Sequence, residues 1–158
     1  MTAGISTLLL DRLVSDALRS TAEICGLLLG PEDLINGSIA AENVASEPAR
    51  QFEIAPAILI AALRDERAGA RRLAGYYHSH PAGDPTPSAT DAAMADPDGR
   101  LWLIIGGSTL GLWRAVPDGA HLHRFEPVPF RLRSDGGLRA AHAFSTRPGE
   151  PHIRSFGP

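Results

Sequence analysis

This chain predicts a mixed α/β fold, one sheet with helices packed against it, and three observations carry the prediction. Short apolar runs of strand length recur along the chain. Between several of them lie stretches whose apolar residues follow helical spacing. Some of the strand-like runs are near enough to pair as hairpins, whereas others are separated by a helix. At 158 residues the chain is one domain in size and long enough to bury a core. Its 44% hydrophobic and 21% charged residues are ordinary for a globular protein.

Taken in order, "GISTLLLDRLVSDALRS" reads as a short strand over residues 5–8 running into an amphipathic helix. Leu10, Leu13, Val14, Ala17 and Leu18 follow the helical period. "EICGLLLG" is a compact apolar run closed by Gly30-Pro31, the length of a buried strand. "INGSIAAENVA" reads as its hairpin partner, with Asn36-Gly37 near the turn. After the linker "SEPARQ", residues 55–72 form an alanine- and leucine-rich helix with Pro56 in its first turn. "LAGYY" is a strand leading into two histidines, and "SATDAAMA" is a short helix. "LWLIIGG", "LGLWRAV" and "HLHRFEPV" are three further strands separated by Gly and Pro-Asp-Gly turns. Past Pro129 the periodicity fades. Residues 1–129 are therefore expected to form the domain, and 130–158 a mobile tail or an arm used in assembly.

A net charge of −3 and a pI near 6.0 give no electrostatic reason to expect a nucleic-acid partner. Arg64, Arg71 and Arg72 read as a solvated helix surface. No apolar stretch approaches the roughly 20 residues that span a bilayer, and no secretory leader is evident, so no membrane association is expected. The single cysteine, Cys25, has apolar neighbours and reads as a small buried hydrophobe in a reducing, cytoplasmic setting.

The chemistry concentrates in "YHSHPAGDPTPSATD", residues 77–91. His78 and His80 lie two residues apart at the end of a strand, so alternation puts both imidazoles on one face. "PAGDPTP" turns the chain back, and Asp91, one helical turn after Ser88, can point at the same spot. Two imidazoles and a carboxylate suit zinc and leave a fourth position for water, the pattern of a catalytic site. Ser88-Ala-Thr-Asp91 equally fits the capping box of a helix N-terminus, which by itself explains both residues. The full spacing of H-x-H, seven residues, S, two residues, D arises by chance on the order of once in a thousand such chains. His121 and His123 repeat the H-x-H spacing with no acidic partner at a useful distance, and read as solvent-facing strand positions. A water activated at such a site needs a base. Glu23, just before the apolar "ICGLLLG", is the acidic candidate: a surface residue at an element's end or a carboxylate facing the site.

Glu23 with "CGLLLG", then "HSHP", then "PSATD" resembles the JAMM motif of the Mov34/MPN/PAD-1 family, matching it in residue type and spacing. "ENVASEPARQFEI" is similar to that family's connection, in which Asn43 and Pro48 precede a Phe–acidic–Ile strand. The resemblance spans about residues 5–128. It implies a strongly curved mixed sheet flanked by helices, the MPN/JAB domain, on a fold similar to cytidine deaminase. It implies that His78, His80 and Asp91 ligate one catalytic zinc ion, that Glu23 is the general acid/base and that Ser88 stabilises the oxyanion. The chain has neither H-E-x-x-H nor P-C-x-x-C, which disfavours the zincin and nucleoside-deaminase classes.

The resemblance thus implies a compact prokaryotic zinc metallopeptidase or isopeptidase. Its expected substrate is the C-terminal tail of a peptide or of a ubiquitin-like, sulfur-carrier-type protein. Two other classes stand beside it: a non-catalytic MPN-type binding scaffold, and a RadC-like protein linked to DNA repair, whose loop resembles "HPAGDPTPS". Apolar positions on exposed strands are compatible with a homodimer.

Overall fold

The computed structural model describes residues 2–134. Strand β1 (Ala3–Ser6) runs directly into helix α1 (Thr7–Leu18). The junction falls at Ser6, whose hydroxyl accepts the Leu9 N–H at 3.2 Å and so caps the helix. The strand expected over residues 5–8 therefore begins and ends two residues earlier. Leu9, Leu10, Leu13 and Val14 form the buried stripe of α1, while Leu18, expected on that stripe, is 64% exposed.

Strand β2 (Cys25–Leu29) is followed by β3 (Leu34–Ile35) and β4 (Gly37–Ala41). β2 and β4 pair antiparallel as expected, with Leu29 opposite Gly37. The reversal is not a tight Asn36-Gly37 turn, however. It takes up residues 30–36, because β3 leaves the hairpin to lie parallel to β1. The Phe–acidic–Ile segment forms no strand beyond a bridge between Asn43 and Ile54.

Helix α2 (Pro56–Arg67) starts at the predicted proline but stops short of Arg72. The Ala68 and Gly69 N–H groups bond back to Arg64 and Glu66, and Gly69 takes a left-handed φ of +84° that ends the helix. Ile58, Leu59 and Leu63 pack with Ala62 against Leu27, Leu29 and Leu73.

Strand β5 (Leu73–His80) carries both histidines. Helix α3 (Ala89–Met94) then crosses over to β6 (Leu101–Gly106), which pairs parallel to β5. β7 (Thr109–Ala115), β8 (Phe125–Pro127) and β9 (Phe130–Arg133) follow. The main sheet has the order β4-β2-β5-β6-β7-β8, antiparallel except at β5–β6; a second, parallel sheet has the order β3-β1-β9. The mixed α/β class expected from the sequence is the observed one, the main sheet being mixed; the separate β3-β1-β9 sheet is an addition to the single sheet expected.

Two sequence readings change at the C-terminal side. Residues 121–124 are not strand: Leu122 and His123 adopt left-handed φ of 51° and 52°, so β8 begins only at Phe125. Phe130–Arg133, placed by the fading periodicity in the tail, pair with all of β1. The rest of the expected tail, from residue 135, lies outside the described residues.

Alternation along β6 sorts the core. Leu101, Leu103 and Ile105 face β1 and α1, while Trp102 and Ile104 face Phe52, Trp113 and Phe125. His78, paired with Ile104, joins the second face, its ring stacked on Phe52 at 4.2 Å.

Candidate metal centre

The histidines sit at the carboxyl end of β5, the strand end where α/β sheets gather ligands beside a parallel neighbour. His78 is fully buried, and His80 is partly so. Their Nε2 atoms lie 3.0 Å apart. Asp91, in the first turn of α3, reaches both: Oδ1 is 3.1 Å from His78 Nε2 and Oδ2 is 3.2 Å from His80 Nε2.

These spacings test whether a metal fits. The edge of a tetrahedron with metal–ligand bonds of ~2.0–2.1 Å is about 3.3 Å, close to all three separations. The donor set is borderline to hard, two imidazoles and a carboxylate, as a zinc-type divalent ion requires. His80 Nδ1 lies 2.6 Å from the Asp84 carbonyl; a carbonyl only accepts, so Nδ1 carries a hydrogen, and loss of the Nε2 proton that faces Asp91 would leave the Nε2 lone pair for the ion. His78 is instead oriented by Phe52 and the edge of Trp102, with its buried Nδ1 unpartnered.

Ser88 and Asp91 also form the capping box that the sequence offered as an alternative. The Ser88 hydroxyl accepts the Asp91 N–H at 3.1 Å, and Asp91 Oδ2 accepts from the Ser88 N–H at 2.7 Å and its hydroxyl at 2.8 Å. The two readings are not rivals. The cap fixes the carboxylate rotamer, and the fixed rotamer faces the imidazoles.

Glu23 arrives from β2. Cys25 pairs with His78, and the Ser79 N–H bonds to the Ile24 carbonyl at 3.0 Å, so the antiparallel register continues to put Glu23 opposite His80. Its backbone is tied down on both sides. Its N–H donates to Pro48 O at 2.7 Å, and its carbonyl accepts from Asn43 Nδ2 at 2.9 Å. The side chain is buried with Oε2 unpartnered.

The electrostatics follow from burial around a carboxylate. Burial lifts the Glu23 carboxyl from 4.5 to about 7, with the charge of His80 pulling it down and that of Asp91 pushing it up. Burial also works to raise Asp91, but hydrogen bonds from His78 and His80 win and hold it below the usual carboxylate range. Burial holds His78 below its ordinary value against the pull of Asp91. His80, less deeply buried, ends above its ordinary value, because the hydrogen bond and charge of Asp91 and the Asp84 carbonyl outweigh desolvation.

All five residues singled out in the sequence thus lie at or beside one spot. His121 and His123 do not join it. His123 is exposed, and the His121 ring instead holds the Pro87 carbonyl at 2.8 Å. Phe52, Asp84 and Trp113 escaped the sequence reading, and His121, expected to face solvent from a strand, is half-buried in a turn. Each acts through a contact made by the fold, and only the Asp84 partner is local enough to signal itself, four residues from His80.

Together these features define a mixed α/β protein with a compact site fit for a divalent metal at the end of its central strand. The chain belongs to the prokaryotic homologues of the JAB domain, whose family model matches residues 7–117. A desampylase of Haloferax volcanii is 38% identical over 85 residues, covering 52% of this chain and 61% of the relative. A desampylase of Pyrococcus furiosus is 30% identical over 86 residues, covering 54% and 61%. The match therefore spans about three fifths of the length of each of these curated relatives. A solution structure of a protein from Desulfitobacterium hafniense shares the fold with TM-score 0.72 at 22% identity, covering 85% of this chain and 94% of that one. A JAB1/MPN domain protein from Archaeoglobus fulgidus shares it with TM-score 0.52 at 16% identity, covering 82% and 98%.

Proposed function

We propose that this protein is a zinc-dependent hydrolase that cleaves an amide bond at the C-terminal tail of a peptide or ubiquitin-like, sulfur-carrier-type protein. The observation that carries this reading is the meeting of three donor atoms at tetrahedral-edge spacing beside a buried, unpartnered glutamate. His78, His80 and Asp91 would hold the ion. Bound there, zinc supplies Lewis acidity, polarising the scissile carbonyl and making water nucleophilic at neutral pH.

The remaining work falls to this chain's own side chains. Glu23, its pKa raised to about 7, is matched to taking a proton from the attacking water and returning it to the leaving amine. As the water oxygen bonds to the carbonyl carbon and the C–N bond breaks, one product leaves as a carboxylate and the other as an amine. Ser88, at the exposed start of α3, can turn its hydroxyl from Asp91 Oδ2 to the developing oxyanion. Such a donor contributes roughly 2–4 kcal/mol to the transition state. The similarity to two desampylases supports the modifier-tail substrate class.

The test combines metal analysis with cleavage. Protein purified without chelator is assayed for bound zinc and for release of the amine from a ubiquitin-like carrier whose Gly-Gly tail is amide-linked to it. Stoichiometric zinc, loss of release on chelation and recovery on zinc addition are expected. Cleavage that survives full metal removal would sink the reading; zinc binding without cleavage of any such tail would favour a scaffold.

A further inference from the structure

The two halves of the metal site come from different elements, β5 and α3, and are joined by residues 81–88. Pro81, Pro85 and Pro87 remove three of this segment's backbone donors, and the Gly83, Thr86 and Ser88 N–H groups donate locally to His80 O, Asp84 Oδ1 and Asp91 Oδ2, so it is not held by a ladder as a strand is. What the segment offers the fold is carbonyls, and two of them are taken by side chains from β7 and from the turn before β8. The buried Trp113 of β7 donates its indole N–H to the Pro85 carbonyl at 3.0 Å. His121, before β8, approaches the Pro87 carbonyl with Nε2 at 2.8 Å; the carbonyl accepts, so Nε2 is the protonated nitrogen. The two rings also pack together, 5.2 Å between centroids.

The floor beneath the segment is equally specific. A Cβ on Gly111 would come within 2.3 Å of the Pro85 carbonyl oxygen, and one on Gly106 within 2.7 Å of Asp84 and Pro85 backbone atoms. The segment is thus pressed onto the backbones of β6 and β7 and latched by two rings, the Trp113 indole nitrogen lying on that same floor beside Gly111. Among the described residues, neither ring makes a hydrogen bond or ring contact with His78, His80 or Asp91. Both fix the stretch that carries the Asp84 carbonyl, on His80 Nδ1, and Ser88, on Asp91.

Resting on the metal-site reading above, we propose that Trp113 and His121 are positioning residues for the metal. By latching Pro85 and Pro87 they set the gap between the histidine arm and the Ser88–Asp91 arm. Ligand sites lose affinity steeply when the parts move by about 1 Å, and outer-shell partners of metal ligands typically cost 10–100-fold in metal affinity when removed. The latch turns a proline-rich loop, with little backbone pairing of its own, into a rigid spacer.

The experiment uses the full chain and zinc ion alone, titrated against a chromophoric competing chelator, with no substrate present. His121→Ala is expected to weaken zinc about 10-fold, and His121→Gln, which keeps an N–H at nearly the same reach, to recover most of that loss. Cobalt(II) substituted for zinc should show an altered visible spectrum in His121→Ala and a restored one in His121→Gln. Trp113→Phe, keeping the ring but losing the donor, should match His121→Ala in both readouts where it folds; the half-buried His121 pair decides the matter if it does not. If wild-type protein binds zinc and His121→Ala binds it as tightly with the same cobalt spectrum, whatever its melting temperature, the latch is merely structural and the inference is wrong while the metal reading stands. If wild-type protein binds no zinc, the metal reading falls and takes this inference with it.

Discussion

The chain contains two histidine pairs of identical spacing, His78/His80 and His121/His123, and they end in opposite situations. The first pair lies on β5, whose extended backbone sends both rings to one side, so their Nε2 atoms meet at 3.0 Å. The second sits in a turn where Leu122 and His123 are left-handed, so the alternation that would align the rings is gone. His123 faces solvent and His121 turns back to the Pro87 carbonyl. Spacing makes a metal site only where the backbone is extended and a carboxylate is delivered to the same place. Here that delivery depends on a capping box on α3, which has no counterpart near residue 121.

The strongest way to break the comparison is to remove a ring from the first pair. His80→Ala should lower zinc affinity by more than about 100-fold, the upper range for losing a mere outer-shell partner, and abolish amide cleavage. Calorimetric zinc titration checks the first, and amine release the second. Ser88→Ala sharpens the role of the cap. It should lower kcat by about 10²–10³-fold if the hydroxyl meets the oxyanion. It should also cost about 1 kcal/mol of stability as a lost N-cap, read by urea denaturation. A loss of stability with kcat unchanged would leave Ser88 as a cap only.

The extended pair was legible in sequence because everything that arranges it is local. Strand alternation aligns His78 with His80, and the S-x-x-D cap sets Asp91 at one turn from Ser88. Glu23 was legible only as a candidate, since the register that puts it opposite His80 is a pairing between chain segments far apart in sequence. Most of the strands were readable from the sequence, but β3 and β9 were not: β3 has only two residues, β9 lies past the point where periodicity fades, and both pair with β1. The turn at 121–124 was hidden for the converse reason. Its residues alternate like a strand, and the left-handed backbone at two non-glycine positions has no mark in residue type. Phe52 against His78 and Trp113 against Pro85 are likewise contacts of the fold rather than of the local sequence.

Glu23 provides a comparison between site and core by stability alone. Its folded pKa is raised from 4.5 to about 7, so in the metal-free protein the unfolded state gives up this proton first as pH rises. Over that window the folded state holds more protons than the unfolded one, and stability must fall with rising pH, then level off above pH ~7. Glu23→Gln removes that slope. The difference in unfolding free energy between chelated Glu23→Gln and chelated wild type should therefore grow in favour of the variant from pH 4.5 to 7. After solvent screening it should reach about 1–2 kcal/mol. Denaturation at several pH values measures it, and a flat difference would mean that the carboxylate is not held in the environment described.

The smallest effect expected lies inside the second pair, and it separates that pair's two members. His123 is exposed, and its ring has no role in holding the loop that His121 latches. Surface substitutions of this kind fall within about 0.5 kcal/mol. Replacement by alanine also costs little backbone strain at first sight, but φ at this position is +52°, a conformation alanine tolerates no better than histidine. His123→Gly should therefore be neutral or slightly stabilising, through relief of the left-handed backbone, and His123→Ala near neutral. Zinc affinity should stay at the wild-type value in both. Loss of zinc in either variant would show that the 121–124 turn, and not only the His121 ring, bears on the site, and the contrast between the two pairs would then be one of distance rather than of kind.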